Sequence, residues 1–475
     1  LQRLLSRARG LLWVVRHSKT DLESLGANMA IGLARTVRSE TGLQFATLDL
    51  GERENMPDAE AVNHILKVFN GVFCQKSQLD QNDWEFVVRN GNVCVPRLID
   101  NNALNLSVQQ ETPDAPPQMQ PFKQDRALRL AAGVGRGLDE LYFTDDVSRN
   151  GALPEDHIEI QVHSTGLNFR DVLMAMGQLQ GDRLGQECSG VVTQVGAAVS
   201  DFKVGDRVCA MSPGSLSTFT RCPASGSWVI PDDMPFEIAA SIPAVFCTAY
   251  YSLIDLGRLT KDESVLIHAA AGGVGQAAII IAQSVGANIF ATVGSPEKKN
   301  FLMETYQLKE DNIFFSRDMS FAEGIQHATG GEGVDVALNS LSGDALQATF
   351  ECVAPFGRFI ELGKRDITTN SRLEMAHFNK NISFASVDLG IVREKRPQLT
   401  KRLLRDAFKL FVDTNAQSRW SVTTLPISDV EIGFRALQGG QVIGKMVVQV
   451  TDDSMVKVCL LKSMTLVFRP NEFLR

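Results

Sequence analysis

The densest chemistry in the chain lies in Val265-Leu266-Ile267-His268-Ala269-Ala270-Ala271-Gly272-Gly273-Val274-Gly275-Gln276. A β-branched run enters a tight turn and leaves in a small-residue helix. Positions 270, 272 and 275 keep the spacing G-x-G-x-x-G, with Ala270 in the first place. Gly272 lets the backbone approach a pyrophosphate, and Gly275 lets the helix lie close on the strand. The helix N-terminus offers unpaired N–H donors and positive dipole. Ala271, Gly272, Gly273, Val274 and Gly275 are therefore candidate dinucleotide contacts. An ordinary tight turn is the plain alternative. The order strand, turn, helix, second strand favours the nucleotide.

The second strand, Asn288–Val293, decides which dinucleotide is expected. A free ribose 2′-hydroxyl is usually met there by Asp or Glu. This chain reads Thr292-Val293-Gly294-Ser295-Pro296-Glu297-Lys298 instead. Ser295 and Lys298 suit a 2′-phosphate, which makes NADPH the expected cofactor, and Thr292 and Gly294 are further candidate cofactor contacts. Glu297 is explained by its place at a helix start, behind Pro296. Three further polar residues stand at strand ends, where open parallel sheets bind ligands. Asn339 follows Val334–Leu338 and suits the nicotinamide carboxamide or its ribose. Lys364 and Asp388, on adjacent strand ends, form either a proton-handling pair or a salt bridge at the sheet rim. Spacing does not choose between these.

Hydride chemistry on this architecture often uses zinc, which needs three ligands from Cys, His and acid. The segments Asn168-Phe169-Arg170-Asp171 and Gly185-Gln186-Glu187 contain neither Cys nor His, so no metal is expected. A metal-free site suits a carbon–carbon double bond conjugated to a carbonyl, reduced through an enolate. Arg170 and Asp171 are expected to pair structurally near the cleft. His163, His268, His377 and Cys247 read as packing or strand-end residues.

The elements that must position these groups fall into several domains, as 475 residues require. The 44% hydrophobic share fills large cores and excludes global disorder. A net charge of −8 argues against nucleic acid or an anionic membrane as partner. The charge-free stretch 264–296 is too rich in Gly, Gln and Asn for a membrane span. Eight cysteines, none in a CxxC pair, fit a reducing cytoplasmic setting. The chain starts at Leu1, as a piece cut from a longer protein would.

Residues 1–110 read as a truncated α/β subdomain without a glycine loop. Its elements are a strand at 10–15, a helix with Met29, Leu33 and Val37 inward, a strand at 45–50, a second helix at 59–73 and a hairpin around Asn90-Gly91. Residues 111–124, with Pro113, Pro116, Pro117 and Pro121, read as exposed linker. Residues 125–240 and 396–450 read as a β-rich substrate domain, and 241–395 as a doubly wound Rossmann domain. Residues 451–475 read as a tail or a link to a next domain.

From about 125 to 450 the chain resembles the medium-chain dehydrogenase/reductase superfamily, specifically the zinc-free enoyl reductase domains of polyketide and animal-type fatty acid synthases. The stretches Gly166–Leu173, Gly185–Gly190, His268–Gly275, Val293–Lys298, Leu338-Asn339-Ser340-Leu341 and Phe359–Lys364 carry the likeness. Gly32–Glu40 is similar to the non-catalytic ketoreductase subdomain of such synthases, and the whole resembles part of a fungal highly reducing polyketide synthase. The resemblance implies a GroES-like substrate domain beside the Rossmann domain. It implies NADPH, with Leu341 among its contacts, and an enoyl thioester on acyl carrier protein near Asn168, Phe169 and Asp171. Hydride would go to the β-carbon and a proton to the α-carbon, with Lys364 and Asp388 as candidates for moving the proton. Related bacterial domains often carry a tyrosine just after the Asn-Phe-Arg-Asp segment. Gly177–Gly181 has none, so a tyrosine donor is not expected here. A homodimer through the last parallel strand, near Ile382–Val387, is expected from its open edge. The alternatives are a free-standing quinone or enone oxidoreductase, and a scaffold module that binds NADPH without turnover.

Overall fold

The computed structural model describes residues 8, 10–17, 21–52, 56–74, 83–96, 117–122, 126–133, 135, 137–181, 183–451 and 454–459. Most of the expected linker and tail therefore lies outside the described residues. The chain divides into two compact units, Leu1–Val108 and Gln109–Arg475.

The first unit is a four-stranded sheet. Gly10–His17, Gln44–Glu52 and Glu85–Arg89 run parallel, and Asn92–Cys94 returns antiparallel. Parallel neighbours need crossovers, which helices Asp21–Thr41 and Asp58–Phe69 supply. The middle strand is buried on both faces through Phe45, Ala46, Thr47 and Leu48. Helix Asp21–Thr41 corrects one expectation: Met29 and Leu33 are exposed, while Ala30 and Ala34 face inward. Two small side chains let the helix approach the sheet closely, and apolar spacing alone did not separate the two faces.

The second unit holds the nucleotide and substrate elements. Its parallel sheet runs in the order Ile313–Phe315, Asn288–Val293, Ser264–Ile267, Val334–Asn339, Val353–Glu361, Ser383–Ser386. In chain order this is 3-2-1-4-5-6, the doubly wound arrangement whose switch point lies beside the first strand. A seven-stranded sheet carries Ser227–Val229, Arg207–Ala210, Glu187–Val195, His157–Gly166, Lys445–Gln449 and Val422–Pro426, with Phe219–Pro223 paired to His157–Gly166. Lys445–Gln449 returns from the far end of the chain to complete this lobe.

Two boundaries differ from the sequence reading. Gln118–Pro121, expected as linker, pairs antiparallel with Met455–Val458, expected as tail. Both belong to a four-stranded sheet with Leu141–Asp145 and Leu128–Ala132. Phe122 sits edge-on to Phe143 at 5.0 Å beneath it. The partners lie over 300 residues apart, so no local pattern announces the pair. Helix Pro397–Asp413, assigned to the substrate lobe, buries Leu403, Leu404, Ala407 and Phe411 in one continuous core with the helices of the parallel sheet. Phe411 meets Phe246 edge-on at 5.1 Å.

At Gly275 an added Cβ would stand 2.5 Å from Ala270 Cα and 2.6 Å from Ala269 O. Neither backbone atom can yield cheaply. Gly275→Ala is expected to destabilise the second unit by about 1–3 kcal/mol. The check is a lowered denaturant midpoint at unchanged slope.

Candidate active site

The glycine turn joins strand Ser264–Ile267 to helix Gly273–Val285, with Gly272 in extended backbone as the N-cap. The first N–H groups of that 13-residue helix are free of side-chain caps. They form a ready anion cradle. The return segment touches the same turn. The Gly444 N–H donates to Ala271 O at 2.8 Å, and Gly272 bridges to Gly444.

The far end of the cradle is cationic. Ser295 caps helix Pro296–Tyr306, its hydroxyl accepting from the Lys298 N–H at 3.5 Å. Lys298 Nζ donates to the carbonyl of Gly440 at 2.7 Å. Burial, and then the charge of Arg317, pull the Lys298 ammonium below its ordinary value. Arg317 stands beside Gly294, where an added Cβ would meet its guanidinium at 3.8 Å. The sequence reading missed Arg317. It follows the third strand, and only the sheet order brings that strand end beside Gly294. Two cations facing each other at the end of the second strand, with Ser295 in place of an acid, fit a phosphorylated ribose.

Two expected cofactor contacts are used internally instead. Thr292 is buried, its hydroxyl 2.8 Å from His268 Nδ1, while the other ring nitrogen lies 2.9 Å from Thr349 Oγ1. Burial drops the His268 pKa to about 3, so the ring is a neutral strut across three elements. Asn339 is also buried. Its amide donates to Leu341 O at 2.9 Å and to Glu361 Oε2 at 2.6 Å, and its oxygen accepts from the Leu341 N–H. Asn339 therefore shapes the loop that carries Leu341 rather than reaching for a ligand. Burial pushes the Glu361 carboxyl up to about 7.

Between the two lobes lies a cleft of about 890 Å³. Asn168, Phe169 and Arg170 line it from the antiparallel lobe, and Val274, Lys364 and Asp388 from the parallel one. Lys364 Nζ lies 3.2 Å from Asp388 Oδ2 and donates to Val387 O at 3.0 Å. The structure thus joins the two strand-end residues in one pair, open to the cleft. Phe169 is 53% exposed there.

Asp171 does not face the cleft. It is fully buried, accepting from the N–H groups of Gly185 at 2.8 Å and Asn168 at 3.3 Å, and from Gln186 Nε2 at 3.1 Å. Burial raises its pKa to about 6. Its expected pairing with Arg170 is absent, because Arg170 turns to Asp388. Asn168 lines the cleft, but its side chain serves a buried ion pair. Lys445 Nζ donates to Glu187 Oε1 at 2.6 Å, Asn168 Oδ1 at 2.7 Å and Leu167 O at 2.9 Å. Glu187 Oε1 accepts from Asn168 Nδ2 and Oε2 from the Ala244 N–H. Lys445 also escaped the sequence reading. Its signal was available: a lysine in the apolar run Lys445-Met446-Val447-Val448 must find a partner.

Two lobes flanking a glycine turn define a medium-chain reductase. Comparison with known proteins narrows this. A family model described as "Zinc-binding dehydrogenase" matches residues 273–405, and one described as "Alcohol dehydrogenase GroES-like domain" matches 154–231. A third, "HRPKS sdrA-like, NAD(P)-binding Rossmann-fold domain", matches 1–99. The solved CurK enoyl reductase is 34% identical, with a TM-score of 0.61 over 69% of this chain and 100% of its own. The chain belongs to the enoyl reductase family. Highly-reducing polyketide synthase 1 of Aureobasidium melanogenum is 45% identical over 98% of this chain and 21% of that protein. Highly reducing polyketide synthase tstA of Talaromyces stipitatus is 43% identical over 96% of this chain and 18% of that protein. The chain spans about a fifth of these curated relatives. Among the described residues no three His, Cys, Asp or Glu are grouped to hold a metal, and no helix is long and apolar enough to cross a membrane.

Glu187 and Lys445 are 0% and 3% exposed. Removing one partner leaves the other charged and buried. Lys445→Met is expected to cost about 3–5 kcal/mol in chemical denaturation, with part recovered when Glu187→Leu is added.

Proposed function

We propose that the second unit reduces the α,β double bond of an enoyl thioester with NADPH. The carrying observation is that the Lys364–Asp388 pair opens into the same cleft as Val274, on the first turn of the glycine-loop helix. The N–H groups of Gly273 to Gly275 would hold the pyrophosphate, and Ser295, Lys298 and Arg317 the 2′-phosphate. NADPH held there would supply hydride chemistry toward the β-carbon. The protein's own task is the proton. Lys364 holds one on Nζ for the α-carbon, and the Asp388 carboxylate orients that ammonium. Phe169 and the apolar wall around it exclude water from the acyl chain.

The relatives' names and the shared enoyl reductase fold support a place in polyketide chain elongation. The substrate then arrives on an acyl carrier protein, and the neighbouring domains of the same synthase are partners. Ser383–Ser386, at the edge of the parallel sheet, offers a strand for a second copy of the chain. The intact pair and cradle favour turnover over a purely structural module.

The test is NADPH consumption with a crotonyl thioester against a simple quinone. Oxidation only with the quinone would reject the reading. Lys364→Ala is expected to lower kcat about 100-fold or more, with NADPH affinity within about twofold of wild type. Lys298→Ala with Arg317→Ala is expected to weaken NADPH about tenfold or more and leave NADH nearly unchanged. An unaltered NADPH preference would remove the 2′-phosphate assignment.

A further inference from the structure

Asp388 is held by more than Lys364. Arg170 Nη1, from helix Phe169–Ala175 on the opposite wall, lies 3.3 Å from Oδ1 and 3.4 Å from Oδ2. One carboxylate therefore serves two cations, one from each lobe. The N–H groups of Gly390 at 2.8 Å and Ile391 at 3.4 Å also donate to Oδ1, so the carboxylate cannot simply rotate toward either cation.

The opposite wall is equally fixed. Helix Phe169–Ala175 begins at a tight cap, in which the Asp171 N–H donates to the Asn168 carbonyl at 2.9 Å and the Asp171 carboxylate accepts from the Asn168 N–H at 3.3 Å. Asn168 is in turn bound to Glu187 and Lys445. Asp171, the nearest carboxylate in sequence, is turned inward to Gly185 and Gln186, which leaves Arg170 to cross the cleft. A third cation, Arg393, lines the same cleft. Burial, and then the charge of Arg170, pull its guanidinium below its ordinary value.

We propose that Arg170 is a positioning residue for proton delivery. By engaging Asp388 from the facing lobe, it fixes the carboxylate that pairs with Lys364. The inference rests on the proton role given to that pair above. With the lobes together, Asp388 is divided between two cations, and a Lys364 N–H is released toward the α-carbon.

The groups that set the charge of Asp388 are Lys364 at the neighbouring strand end, Arg170 across the cleft, Arg393 on the helix that Asp388 caps, and the N–H groups of that helix. Lys364 in turn lies near Glu361. Burial alone would raise the Asp388 carboxyl. Lys364 and then Arg170 more than offset this, and it lies below the usual range. Removing Arg170 must therefore raise it, so that activity needing the carboxylate fades at a higher pH.

The experiment uses the full chain with Arg170→Gln and Arg170→Lys, NADPH and a crotonyl thioester. Arg170→Gln is expected to lower kcat about tenfold with NADPH affinity unchanged. Its acid limb should move to higher pH, and Arg170→Lys should restore most of that position. A kcat loss with an unmoved limb, no kcat loss, or a lysine variant no better than glutamine would overturn the proposal. A second readout needs no turnover. Thermal unfolding of Arg170→Gln, Asp388→Asn and the double variant should be non-additive, and strict additivity overturns the Arg170–Asp388 coupling. If wild type lacks turnover while the cycle is non-additive, the enoyl-reduction reading fails and the coupling stands.

Discussion

A lysine ammonium with almost no access to water organises the second unit. Lys445 has three N–H donors, and three acceptors meet them: a carboxylate, an amide oxygen and a backbone carbonyl. Full satisfaction is what makes such burial tolerable, because each unmet donor in a low-dielectric interior carries its whole desolvation cost. The acceptors come from different elements: Glu187 opens one strand, Leu167 and Asn168 lead into the helix of the substrate wall, and Lys445 sits on the returning strand. The residue before it, Gly444, is hydrogen-bonded to the glycine turn. Two consecutive residues therefore fix the cleft wall and the anion cradle relative to each other.

Charge is distributed unevenly around this frame. The chain is acidic overall, with a net charge of −8. Yet the cleft is lined by Arg170, Lys364, Arg365 and Arg393 against Asp388. The phosphate end adds Lys298 and Arg317. An acidic protein that concentrates cations along one groove draws anionic small molecules there while its remaining surface repels polyanions.

The periodic parts of the molecule were readable from sequence. Apolar strands such as Asn288–Val293 and Val334–Leu338 announced the parallel sheet, and the spacing from Ala270 to Gly275 announced its nucleotide turn. Lys364 and Asp388 were singled out because strand ends in such sheets are the ligand side, and both line the cleft. What failed was side-chain direction. Thr292, Asn339 and Asp171 lie at the right places along the chain, but each points into the protein, where a buried partner claims it. Arg317 and Lys445 were missed for the opposite reason, since their relevance comes from neighbours brought in by sheet order. The strand pair 118–121 with 455–458 has too little local pattern and too long a separation to be read in advance.

That last pair has a mechanical consequence. Gln118 lies opposite Val458 and Pro121 opposite Met455. The incoming and outgoing backbones thus stand side by side at one corner, and everything between them, the redox machinery included, hangs from a single stem. Tension applied across the two strands would peel the stem rung by rung before it reached the glycine turn. Beyond the stem the same pull would next meet Leu141–Asp145, which pairs with the outgoing strand.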